Sequence, residues 1–340
     1  MKDSGGADST VSTEREFIFV AEKPGKYALR LDIIDAQNPV MQEVEINVDE
    51  ESVAYSRYIT EVYEYRPAPG QFVNIMPLYE EGDTEEDMCR KARESISGTN
   101  DIMISLGGYG GYVTFGFDHT VVNVPGQKDF KILGNAFYAD ANPNPSAPDS
   151  GGSCEPGIVM VSIDQNNNGL PDDEWYELAG SEYHKPETRH GFQITYTRPA
   201  ADKVPTPDDN SPITDTTYIL WETGDGEKGY IAKNAYHNQD YYPAWIAEDR
   251  LQFSGTRLAD NAVDESGGKG SYFVLYAYEW GYVDNHPNSE EDKISFDIGW
   301  AVDRLGNPVH LQGVGFISVY TGVNQQCGWL GETSTELSRA

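Results

Sequence analysis

Gly107-Gly108-Tyr109-Gly110-Gly111-Tyr112-Val113-Thr114-Phe115-Gly116-Phe117-Asp118-His119 is the stretch on which the fold class turns. A glycine-rich turn runs directly into a β-branched and aromatic segment, 112–117, which ends in polar residues. Val, Thr, Tyr and Phe suit a pleated, half-buried surface, whereas Gly, Pro, Asn and Asp supply the turns. The same alternation marks 102–105, 130–133, 158–163, 175–178, 192–196, 218–221, 251–253, 272–278, 294–296 and 314–320. Short strands between such turns predict a β-sandwich or jelly roll. Residues 58–65 alternate apolar and polar side chains and read as one more strand, broken by Pro67-Ala68-Pro69-Gly70. A single short helix is expected over 84–97. Thr84 and Asp87 have capping-box spacing, Met88, Ala92 and Ile96 recur on one face, and Gly98 stops it. Two long polar loops are expected at 139–153 and 198–216.

Upstream, residues 1–13 are small and polar and are expected to be disordered. Strands are expected at 16–21, 27–33 and 44–48, around the turn Lys23-Pro24-Gly25-Lys26. This order resembles the C-terminal half of a PKD-like or immunoglobulin-like sandwich. Such a sandwich needs roughly 100 residues to close, so its N-terminal half is expected to be missing. The expected fold is therefore mainly β: a partial immunoglobulin/PKD-like sandwich plus linker at 1–52, then a large jelly-roll-like β-sandwich at 53–340. The linker is read at Asp49-Glu50-Glu51-Ser52.

The chain of 340 residues carries 24 Lys and Arg against 56 Asp and Glu, a net charge of −32. That field repels phosphate backbones and anionic membrane surfaces, which argues against nucleic acid as a partner. The acidic residues are spread among aromatic and β-branched segments, so they belong to a folded domain rather than to an acidic tail. Cys89, Cys154 and Cys327 fit neither a disulfide framework nor a zinc motif, and read as free or buried thiols. No apolar run is long enough to span a bilayer, and the first residues lack the apolar core of a secretory signal. The chain then reads as cytoplasmic, or as a mature or truncated form of an exported protein. The β-rich, Cys-poor composition favours the second reading.

Three segments carry a resemblance. They are 107–119, quoted above, Val124-Pro125-Gly126-Gln127-Lys128-Asp129-Phe130-Lys131-Ile132-Leu133-Gly134-Asn135-Ala136-Phe137, and Glu155-Pro156-Gly157-Ile158-Val159-Met160-Val161-Ser162. Together with 64–72, 229–234, 278–285 and 328–336, they resemble Bacteroidetes cell-surface proteins, often lipoproteins, in which a PKD-like domain precedes a jelly-roll domain. The resemblance implies a lipid-anchored protein on the extracellular face of the outer membrane, lacking its signal here. It also implies an accessory role in nutrient capture with a TonB-dependent transporter, taking a glycan or corrinoid. It brings no catalytic residues with it.

Read as residues, 164–174 is the richest segment: Asp-Gln-Asn-Asn-Asn-Gly-Leu-Pro-Asp-Asp-Glu. Asp164, Asn166, Asn168 and Asp172 occupy positions 1, 3, 5 and 9 of a Ca²⁺ loop, with Gly169 at the sharp turn and the Leu170 carbonyl at position 7. Position 12 is Trp175, so Glu174 would have to serve along a different backbone path. The competing reading is an acidic Asn-Gly turn without metal. Asp118, His119 and Glu155 admit either a ligand site or structural hydrogen bonding to loop backbone. His237, Gln239, Tyr241, Tyr242 and Trp245 form one aromatic and polar cluster. Trp280, Tyr282, Asp284 and Asn285 form a second, and Trp329 and Glu332 a third. Aromatic rings beside amides and carboxylates suit stacking on a sugar or another flat ligand. The ligand is expected on the 237–245 and 280–285 loops, with Ca²⁺ holding the 164–174 connection. Two other classes stay open: a glycoside hydrolase using an Asp/Glu pair, and a structural or adhesive surface module.

Overall fold

The computed structural model describes residues 10–13, 17, 19–21, 23–33, 38, 40–100 and 102–340. The chain divides into two compact units, Met1–Tyr55 and Ser56–Ala340. In the first, Gly25–Ile33 and Val40–Val48 pair as an antiparallel hairpin, with Gly25 opposite Val48 and Ile33 opposite Val40. Of the strand expected at 16–21, residues 16 and 18 lie outside the described residues, and 17 and 19–21 carry no strand. Residues 1–9 of the expected disordered segment also lie outside them.

The second unit is mainly β, with one α-helix among the described residues, and its sheets pack as a sandwich. Its largest sheet has six antiparallel strands. From edge to edge they are Ala301–Val302, Trp175–Leu178, Gly157–Ser162, Gly313–Thr321, Tyr112–Val122 and Glu61–Arg66. Side chains alternate between the faces of a strand, so the register sorts the sheet by chemistry. The rung Val62, Phe115, Ile317 and Val161 is buried, as is the rung Tyr65, Val113, Val319 and Val159. Between them, on the opposite face, lies the rung Glu64, Thr114, Ser318, Met160 and Glu177. One face is thus core and the other mostly polar.

The helix Glu85–Ile96 packs on Glu61–Arg66 and buries Met88, Ala92 and Ile96. Thr84 caps it as expected, accepting from Asp87 N while the Asp87 carboxylate accepts from Thr84 N. A second sheet orders Lys228–Asn234, Ile213–Thr223, Arg189–Thr197 and Arg250–Arg257. It meets the polar face of the large sheet at one end, where Phe253 touches the Tyr112 ring and Tyr109 lies between Phe192 and Tyr320. The glycine-rich turn makes this approach possible. Gly110 has φ +83°, and a Cβ there would sit 2.4 Å from Phe253. The loop expected at 198–216 is shorter than anticipated, because Ile213–Thr223 begins inside it. Likewise Gly151–Ser153, inside the loop expected at 139–153, pairs with Phe137–Tyr138 and Phe273–Tyr276.

Residues 331–338 are buried and stitch distant segments together. Glu336–Leu337 pairs with Ile104–Ser105, Thr335 O accepts from Leu106 N, and Ser338 N donates to Leu133 O. Among the described residues no helix is long and apolar enough to cross a membrane.

Candidate functional site

A groove of about 650 Å³ opens over the polar rung of the six-stranded sheet. Its floor is Glu64, Thr114, Ser318, Met160 and Glu177, and Trp175, Tyr183 and His190 stand at its walls. Strand Trp175–Leu178 sends Trp175 and Glu177 to the same face because they are two residues apart. Strand Arg250–Arg257 closes one side with Gln252, Ser254 and Thr256. Glu64 and Glu177 lie at opposite ends of the floor, four strand spacings or about 19 Å apart along the sheet.

Glu177 sits in a short hydrogen-bonded chain. Its Oε2 is 2.6 Å from Thr256 Oγ1, which is 3.1 Å from His190 Nδ1. His190 Nε2 is 3.1 Å from the Tyr183 carbonyl. A carbonyl only accepts, so Nε2 carries a proton. The Thr256 hydroxyl thus bridges the Glu177 carboxyl and the His190 ring. Burial pushes the Glu177 carboxyl up to about 7.

The 164–174 loop reaches this groove through Pro171 and leads into Trp175. The loop is closed by its own hydrogen bonds. Asp164 accepts from Asn168 N at 3.0 Å and Gly169 N at 2.9 Å, Asn166 Oδ1 accepts from Asn168 N, and Asn168 Oδ1 accepts from Leu170 N. The Asp172 carboxylate accepts from the Asn166 and Asn168 amides. Asn167 and Gly169 adopt left-handed φ values of 55° and 74°, which winds the loop tightly. Asp164, Asn166, Asn168 and Asp172 are therefore brought together. Glu174 is not: it accepts from Tyr176 OH at 3.0 Å. The Leu170 side chain is exposed.

The aromatic loops are a correction to the sequence reading. Tyr241, Tyr242, Trp245 and Tyr282 are buried. Trp245 stacks between Tyr65 at 5.9 Å and Tyr79 at 6.1 Å. Tyr241 OH donates to His237 O, Tyr242 OH donates to Glu248 O, and Tyr282 OH accepts from Glu182 N. These rings fill the interior beneath irregular backbone and spend their hydroxyls on it, because buried backbone polar groups need partners. Asn285 is buried and clasps Tyr278 N and O, both at 2.8 Å. Gln239 donates to Gln71 O, His237 packs edge-on to Phe72 at 4.8 Å, and Trp280 lies against Trp300 at 4.6 Å. Asp118 binds Ser56 N and His119 Nδ1, which is structural bonding of the strand flank.

Asp284 is buried too, in different company. Glu155, Asp284 and Glu336 bring carboxylate oxygens within 4.8 Å of one another. Asp284 accepts from Asn135 N, Ala136 N and Glu336 N at 2.7, 2.7 and 3.0 Å. A Cβ on Gly134 would lie 2.3 Å from Asp284 Oδ1, so glycine is needed there. Glu332, nearby in sequence, accepts from Gln71 N at 2.7 Å.

Sequence reasoning missed Glu177, Thr256, His190 and Glu336. The Trp-Tyr-Glu-Leu alternation at 175–178 held the signal for Glu177. Nothing local links it to Thr256. No protein-family model matches the chain, and no curated protein matches it.

Proposed function

We propose that this is a non-catalytic ligand-binding protein whose groove over the Glu64–Glu177 rung takes an extended, hydroxyl-rich ligand such as a glycan. The carrying observation is that groove: an open channel floored by alternating polar side chains and flanked by Trp175, Tyr183 and Tyr112. Ring faces and hydroxyl, carboxyl and imidazole groups are the combination that sugar recognition needs. We assign Ca²⁺ to the 164–174 loop through Asp164, Asn166, Asn168, Asp172 and the Leu170 carbonyl. There it would neutralise crowded carboxylates and fix the segment carrying Trp175. The sequence resemblance supports a lipid-anchored outer-membrane protein with a PKD-like domain, serving a TonB-dependent transporter, and adds a corrinoid as the other ligand class to screen.

Hydrolysis is the second reading, favoured by the raised carboxyl of Glu177, which is suited to act as an acid. Glycosidases need paired carboxyls roughly 5–9.5 Å apart, and Glu64 is about 19 Å away along the sheet. Asp303, at the groove margin, is occupied by its own turn, accepting from Leu305 N and Asn307 N. Binding is therefore the stronger reading.

The test is a glycan array and a corrinoid titration with the full chain and Trp175→Ala. Binding should fall at least about tenfold in the variant, or roughly 1.4 kcal/mol, with an unchanged circular dichroism spectrum. Unaltered binding would remove the groove from the site, and turnover of a bound glycan would favour the hydrolase.

A further inference from the structure

Glu155, Asp284 and Glu336 come from three remote parts of the chain and meet in the interior of the second unit. Asp284 is 1% and Glu336 3% exposed, whereas Glu155 is half-buried. The charges that act on Asp284 and Glu336 are those of other carboxylates, with no Lys, Arg or His among them. Asp284 is supplied with three backbone N–H donors, which suits an anion. Glu155 accepts from Ser334 N and Ser153 Oγ, both at 3.3 Å. Glu336 differs. Its carboxylate belongs to the converging set, yet its Oε1 is fully buried and accepts no hydrogen bond. A buried carboxylate oxygen without a donor is costly, and a buried anion beside two more is costlier still unless a cation compensates.

We infer that Glu155, Asp284 and Glu336 form a second divalent-cation site, separate from the 164–174 loop, and that its ion is Ca²⁺. The three ligand atoms are all oxygens, which selects a hard cation. Oxygens within 4.8 Å of one another can share one ion at metal–oxygen distances of about 2.4 Å. Mg²⁺ sheds its waters reluctantly, whereas Ca²⁺ accepts a largely protein-built cage, which suits a buried site. The ion would tie the 331–338 segment to the connection between Gly151–Ser153 and Gly157–Ser162, which carries Glu155, and to the 280–285 loop.

The experiment uses the full chain, stripped with a chelator and titrated with CaCl₂ by calorimetry, with thermal melts alongside. Asp164→Ala removes the loop site, so it isolates the interior one. This variant should still bind one Ca²⁺ and gain on the order of 5 °C in Tm in millimolar CaCl₂. Adding Glu336→Gln should abolish both effects while raising Tm in chelator, because the amide is neutral and nearly isosteric. Glu155→Gln serves as an independent second variant. If Asp164→Ala neither binds Ca²⁺ nor gains stability, or if both glutamine variants still bind it, the inference fails. The two metal assignments separate cleanly: a wild-type protein that binds one ion, lost in Glu336→Gln but kept in Asp164→Ala, supports the interior site and rejects the loop.

Discussion

Thr256 lies between Glu177 and His190, and the buried carboxyl at one end of this chain makes the fold sensitive to pH. The folded Glu177 carboxyl sits at about 7, above its ordinary 4.5, because burial disfavours its charge. A raised acid is stabilising where it is protonated. Its contribution is complete below about pH 4.5 and is lost as pH rises through about 7. Discounted for partial exposure, the loss is on the order of 1–2 kcal/mol. Glu332 is pushed up in the same direction, to about 8, so the difference between wild type and Glu177→Gln isolates one group. Urea denaturation at pH 5 and pH 8 should find the variant less sensitive to pH by that amount. Parallel curves would refute the assignment. Glu177 was legible as a strand residue, but its partner is 79 residues away, beyond the reach of any local pattern.

At the scale of elements, the 164–174 loop connects Gly157–Ser162 to Trp175–Leu178 and so sets where Trp175 stands. If Ca²⁺ orders the loop, ligand affinity depends on the ion although the ion touches no ligand. Asp164→Ala, or chelation of the wild type, should weaken ligand binding by about tenfold, measured by calorimetry with and without CaCl₂. Equal affinity in both conditions would mean that the loop holds its shape through its own hydrogen bonds. Elements with strong internal signals were legible, namely the capped helix Glu85–Ile96, Trp175–Leu178, and the centres of Tyr112–Val122 and Gly313–Thr321. Ala301–Val302 and Glu336–Leu337 were not, because two residues are strand only by virtue of a partner far off in sequence. The aromatic loops misled for a physical reason: a ring that stacks on a sugar and a ring that plugs a loop interior are written with the same letters.

For the molecule as a whole, a net charge of −32 means that the compact state works against its own repulsion. Raising NaCl from low to physiological concentration shortens the screening length to about 8 Å. The urea midpoint should therefore rise with salt, and a midpoint that fell would show that ion pairs such as Lys91–Asp83 and Lys203–Asp215 outweigh the net field.

The buried 331–338 segment bears on biosynthesis. Glu332 meets Gln71 across 261 positions, Ser334 meets Ser105 across 229, and Thr335 meets Glu155 across 180. Contacts of that span form late and slowly, since each closes a long loop before it is rewarded. A ribosome that has made residues 56–330 has made every strand of the large sheet but not the segment that locks its early partners. The core of the nascent chain stays unlatched until residues 331–338 emerge. Until then a nearly complete sandwich carries an Ile104–Ser105 edge that still awaits its partner.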